Sequence, residues 1–89
     1  MPQNKKTLVG LDGYSRSSDH EGIINENCLS LFNSPTGKEV LKYLKSITIE
    51  AVHGSAVSNE VLRHAEGQRY IVGLLERRIV QAIKDKQNG

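Results

Sequence analysis

From Ser58 onward the chain contains no proline, and its apolar residues recur at alternating steps of four and three. Val61, Ala65, Gln68, Val72, Leu75, Ile79 and Ala82 form that seam, a heptad pattern with one polar member. A spacing of this kind suits a helix and no strand. It predicts one long helix over 59–86, about 40 Å in length. Ser58 or Asn59 would cap it, with Glu60 placed to favour its positive end. Gln68 in the seam either selects a register or lies at the wet edge of the stripe.

A second signal precedes it. Ser34-Pro35 reads as N-cap followed by N1, because the serine oxygen accepts from a free amide and proline has no amide to leave unpaired there. Val40, Leu41, Leu44, Ile47 and Ala51 follow at helical spacing, with Lys38, Lys42 and Lys45 off the stripe. The expected helix covers 35–52 and ends at Gly54, a residue suited to a left-handed C-terminal position. The β-branched residues Ile47, Thr48, Ile49 and Val52 weaken its last turns and keep a strand open as the lesser alternative. The short connector makes the two helices antiparallel neighbours.

Residues 1–33 show no sustained period. Gly10, Gly13, Gly22, several Asn and the Ser15–Ser18 stretch punctuate them, and their charges nearly cancel. This part is expected to be a flexible arm that orders on a partner, with Cys28, Leu29, Leu31 and Phe32 turning onto the helices that follow. The expected fold class is therefore all-α: an antiparallel helical hairpin over 34–89 with a mostly irregular N-terminal arm.

Two helices cannot enclose a core, and small scaffolds need disulfides, a metal or association. With 89 residues, one cysteine and three histidines that do not cluster, only association remains. No metal or cofactor is expected. Ile71, Leu74 and Ile79 exceed what the first helix covers and mark the expected interface, together with Phe32. Gly67 and Gly73, costly within a helix, imply a backbone pressed against a neighbour. No apolar run is long enough for a secretory signal or a membrane span, so a cytoplasmic chain is the default expectation.

Other chemistry is thin. Thr36-Gly37-Lys38 lacks the first glycine and the final hydroxyl residue of a phosphate loop. Glu60 with His64, and Glu66 with Arg69, are spaced for ordinary pairs along one helix face. Cys28 sits among apolar neighbours and reads as a small buried hydrophobe. No nucleophile and base converge and no deep pocket is expected, so neither an enzyme nor a small-molecule substrate is implied. The net charge of +2 is too small to require nucleic acid. A weak, salt-sensitive contact to the DNA backbone through Arg77, Arg78, Lys84 and Lys86 is the alternative, as a packaging accessory would make.

Phe32, then Gly37, Val40, Leu41 and Leu44, then Glu66-Gly67-Gln68-Arg69 before an apolar run form a distinctive layout. It resembles the Bbp-nineteen-like phage domain, a family of very small tailed-bacteriophage proteins, over roughly residues 31–84. The resemblance implies a virion or virion-assembly component that contacts head, portal or tail proteins or itself. It implies a location in the virion, or in the host cytoplasm during assembly. It brings no catalytic residues.

Overall fold

A computed structural model describes residues 6–88; the first five residues of the expected arm and Gly89 lie outside the described residues. The described residues are mostly helical, with three helices and one small two-stranded sheet. β1 (Thr7–Val9) and β2 (Ser15–Ser17) form an antiparallel hairpin, followed by α1 (Ser18–Phe32), α2 (Pro35–Ile47) and α3 (Asn59–Asn88).

The N-terminal segment corrects the expectation of an irregular arm. Its hairpin closes through Gly10 N–H to the Tyr14 carbonyl at 2.8 Å and Gly13 N–H to the Gly10 carbonyl at 3.0 Å. Gly13 takes φ +88°, which Asp12-Gly13 supplies without strain. Ser17 then caps α1, its hydroxyl accepting from His20 N–H at 3.1 Å, with Asp19 and Glu21 in the first turn. Cys28, Leu29, Leu31 and Phe32 are the last turns of this helix rather than a separate turn.

A tight corner joins α1 to α2. Asn33 N–H donates to the Leu29 carbonyl, and Ser34 caps α2 by accepting from Gly37 N–H at 2.9 Å. Gly37 lies directly on the end of α1. A β-carbon there would meet the Leu31 carbonyl oxygen and come within 2.9 Å of Phe32 Cα. The obstacle is backbone, which cannot swing aside.

α2 stops at Ile47, short of the expected residue 52. Thr48 turns back on it: its amide donates to the Lys45 carbonyl at 3.2 Å and its hydroxyl to the Leu44 carbonyl at 2.6 Å. The β-branched run therefore ends the helix, and Gly54 does not adopt a left-handed backbone. Ser58, the earlier of the two cap candidates, accepts from Val61 N–H at 3.2 Å and starts α3.

α3 is the spine, and α1 is its principal partner. Glu21 and Glu26 of α1 meet Arg78 and Lys86 of α3, so the two helices progress in the same direction. α2 runs the other way, with Lys45 against Glu76 and Thr48 against Arg69. The expected antiparallel pair is thus present at the loop end of the molecule, but most of the helix packing is between α1 and α3. Ala65, Val72 and Ala82 of the predicted seam are the buried apolar residues. Among the described residues no large side chain is fully enclosed.

The glycines give a direct check. Gly22, inside α1, faces open space, so Gly22→Ala should raise the melting temperature through helix propensity, by an amount equivalent to about 0.5–1 kcal/mol. Gly37→Ala should lower it by an amount equivalent to about 1–3 kcal/mol, because the corner must open. Thermal denaturation followed by circular dichroism reads both. An unchanged Gly22→Ala would contradict a helix at 18–32.

Candidate functional site

Two features stand out: an ionic cluster around Arg78 and an open apolar groove between α2 and the first half of α3.

The cluster gathers Asp12 from the hairpin loop, Arg16 from β2, Glu21 and Asn25 from α1, and Arg78 from α3. Arg16 forks onto Asp12 at 3.0 and 2.9 Å and reaches Glu21 at 2.7 Å. Arg78 donates to Glu21 at 2.9 Å, to Asn25 at 2.7 Å and to Asp12 at 3.3 Å. Backbone amides complete it, Leu11 N–H on Glu21 and Tyr14 N–H on Asp12, both at 3.0 Å. Arg78 is only 3% exposed. Two guanidinium groups and two carboxylates balance in charge, which is what lets them be buried together.

The fold has made room for it. A β-carbon on Gly10 would lie 2.5 Å from Glu21 Oε1 and 2.6 Å from Arg16 Nη1. Hydrogen bonding from Arg16, with help from the Tyr14 amide, holds the Asp12 carboxyl far below the usual range. Hydrogen bonds to Asp12 and Glu21 raise the Arg16 guanidinium still further. Burial alone would raise Glu21, but the Leu11 amide, Arg16 and Arg78 outweigh it and hold the carboxyl below its ordinary value. Cys28 is half-buried nearby. Burial pushes its thiol up, against the opposing charge of Arg78, so it stays protonated at neutral pH and is a poor nucleophile.

This cluster overturns one expected role. Arg78, assigned to DNA-backbone contact, is sealed beneath α1. Lys86 is paired with Glu26 at 3.0 Å, an exposed pair of small energetic weight. Arg77 and Lys84 remain exposed and line a depression that also contains Glu76.

The second feature is the groove between α2 and α3. Leu44, Ile47, Thr48, Gly67, Gln68, Ile71 and Val72 line it with Arg63 and His64, around a volume of about 680 Å³. Arg69 ties the segment after α2 to α3: its guanidinium donates to the carbonyls of Thr48 at 3.2 Å and Ala51 at 3.0 Å and pairs with Glu66 at 2.6 Å. These carbonyls lie just past the end of α2, where orphan acceptors need a donor. Arg69 therefore does more than pair along its own helix.

The expected interface residues separate across these features. Ile71 is 55% exposed and lines the groove with Gly67. Leu74 and Ile79 are half-buried, because α1 occupies the side of α3 that was expected to stay open. Phe32 is half-buried at the end of α1. Gly67 and Gly73 are not pressed against any neighbour within the chain: a β-carbon on either meets nothing within 4 Å. Val40, Tyr43 and Ile47, outside the expected set, form an exposed apolar stripe along α2 beside the groove. Val40 and Ile47 belong to the stripe expected to contact the other helix; Tyr43 carries no such expectation.

Comparison with family models, with curated proteins and with solved structures gives no match. No helix is long and apolar enough to cross a membrane among the described residues.

The cluster makes stability depend on acid. Asp12 and Glu21 have folded values below their unfolded ones, near 3.9 and 4.3 respectively. Their contribution is complete above those values and is lost as pH falls through the lower folded ones. Denaturation midpoints should thus be level from about pH 5 to 8 with respect to these groups and fall below about pH 4. Glu21→Gln should lower the neutral-pH midpoint and flatten the acid limb.

Proposed function

We propose that the protein is a small structural or assembly component of a tailed-bacteriophage virion, acting by protein–protein contact through the α2–α3 face. It would work in the virion or in the host cytoplasm during assembly, against head, portal or tail proteins or against itself. The observation that carries this reading is the open apolar groove with Ile71 exposed within it, on a chain with little buried apolar material of its own.

The residues of the family resemblance add support of a particular kind. Gly37 seats α2 on the end of α1, and Glu66 with Arg69 clamps the end of α2 to α3. These are joints of the fold. A signature made of joints suits a protein whose product is a shape, and it assigns no reacting group.

The test is incorporation. In particles purified from the phage that encodes it, or in its assembly intermediates, the tagged chain should be present in stoichiometric amounts. Ile71→Asp should remove it from them while the purified variant keeps its helical spectrum. Absence of the unmodified chain from both particles and intermediates would overturn the reading.

A further inference from the structure

The β1–β2 hairpin has an open edge beside a buried side-chain amide. Ser18 N–H donates to the Lys6 carbonyl at 2.9 Å, and Gly10 N–H to the Tyr14 carbonyl at 2.8 Å. With Thr7 opposite Ser17, Leu8 opposite Arg16 and Val9 opposite Ser15, these two bonds set the phase of the ladder. The groups turned toward β2 belong to Lys6, Leu8 and Gly10, so the N–H and C=O of Thr7 and Val9 point away from it. They meet no partner among the described residues. All of β1 is exposed, and its Thr-Leu-Val sequence carries neither a charge nor a proline to blunt the edge.

A depression of about 280 Å³ adjoins that edge. Leu8 and Val9 border it with Glu21 and Asn25 of α1 and Gln81 and Asp85 of α3, and no residue of β2 does. Asn25 is only 3% exposed. Its Oδ1 accepts from Arg78, and its Nδ2 finds no acceptor among the described residues. A buried amide with two idle N–H donors calls for an acceptor at this spot. Asp85 limits which one. Its Oδ1 accepts from Gln81 Nε2 at 3.0 Å, and its other oxygen has no donor among the described residues. Glu21 is balanced by Arg16 and Arg78, so Asp85 sets the sign of the depression. A carboxylate would be repelled there, and an ammonium group cannot accept from Asn25. A primary amide accepts from Asn25 and donates to Asp85.

We infer that β1 is a docking edge for an extended strand of a partner protein, which pairs with Thr7 and Val9 and places an Asn or Gln side chain in the depression over Asn25. The placement follows from the pleat. Residues opposite each other across a ladder share a face, and Leu8 shares the face of Arg16, which reaches into the ionic cluster. A strand added to β1 therefore turns the residue opposite Leu8 toward the depression. Backbone pairing supplies the attachment and the amide supplies the choice of sequence, as in other cases of strand addition. This edge shares no residue with the α2–α3 groove, so it is a second contact surface.

Amide resonances of the isotope-labelled full chain, titrated with the blocked peptide acetyl-Thr-Val-Thr-Asn-Thr-Val-Thr-amide to about 10 mM, test it. The amides of Thr7 and Val9 and the side-chain amide of Asn25 should shift together along one binding curve. Peptides with Ala or Asp in place of Asn should each bind about ten-fold more weakly or less. Val9→Pro removes one outward N–H at an exposed position, so it should abolish binding while the helical spectrum persists. No shift at Thr7 and Val9 would overturn the inference. So would equal binding of the Asn and Ala peptides, or binding that survives Val9→Pro. Shifts at Thr7 and Val9 that grow with protein concentration alone would also overturn it, because the edge would then belong to a second copy, which sets Leu8 rather than an amide opposite Leu8.

Discussion

Arg78 is the constraint on which the rest of the architecture depends. One guanidinium, placed two-thirds of the way along α3, donates to the hairpin loop through Asp12 and to α1 through Glu21 and Asn25. Without a partner, a buried charge of this kind costs several kcal/mol. Every one of its partners lies in the first 25 residues. The N-terminal third is therefore held to the spine by the need of Arg78 for acceptors, and by the reciprocal need of two carboxylates. Such a cluster contributes modestly to net stability compared with an apolar core of equal volume. Its geometry does fix which turn of α3 receives the hairpin and α1.

That arrangement covers α3 unevenly along its length. α1 covers it around Arg78 and buries charge there. α2, seated on α1 at Gly37 and held near its end by Arg69 and by the Lys45–Glu76 pair, leaves the groove open beside the first half of α3. Glu76 holds Lys45 above its ordinary value by hydrogen bonding, which secures the contact at neutral pH. The part closed by ionic contacts gives a folded platform, and the part left apolar gives a surface to dock. With Ala65, Val72 and Ala82 as the buried apolar residues among those described, the chain has few other ways to gain stability than to share that surface.

The legible parts of the sequence were those with apolar periodicity or a capping pattern. The seam of α3, the Ser34-Pro35 start of α2 and the Ser58 cap all carry such patterns. α1 was illegible because its inward stripe is half polar. Glu21, Asn25, Cys28 and Phe32 face the spine, and a stripe that begins Glu-Asn reads as solvent-facing unless its cation is known. That cation is more than fifty residues away and belongs to a heptad helix where arginines look like ordinary surface charge. Local signals did exist: Asp12-Gly13 marks a hairpin, and Ser17 with Asp19 and Glu21 marks a helix start. The shifted interface follows from the same cause, since an unseen α1 covers Leu74 and Ile79 and transfers the open face to α2 and Ile71.

The most direct test of this account is amide hydrogen exchange on the full chain and on Arg78→Met. In the unmodified protein, the amides of 21–32 should be protected to a degree comparable with those of 72–82. In Arg78→Met, protection of 21–32 should fall toward the unfolded rate, while α3 near the Arg69 clamp keeps most of its own. Equal protection of α1 in both proteins would contradict the claim that Arg78 holds the N-terminal third in place.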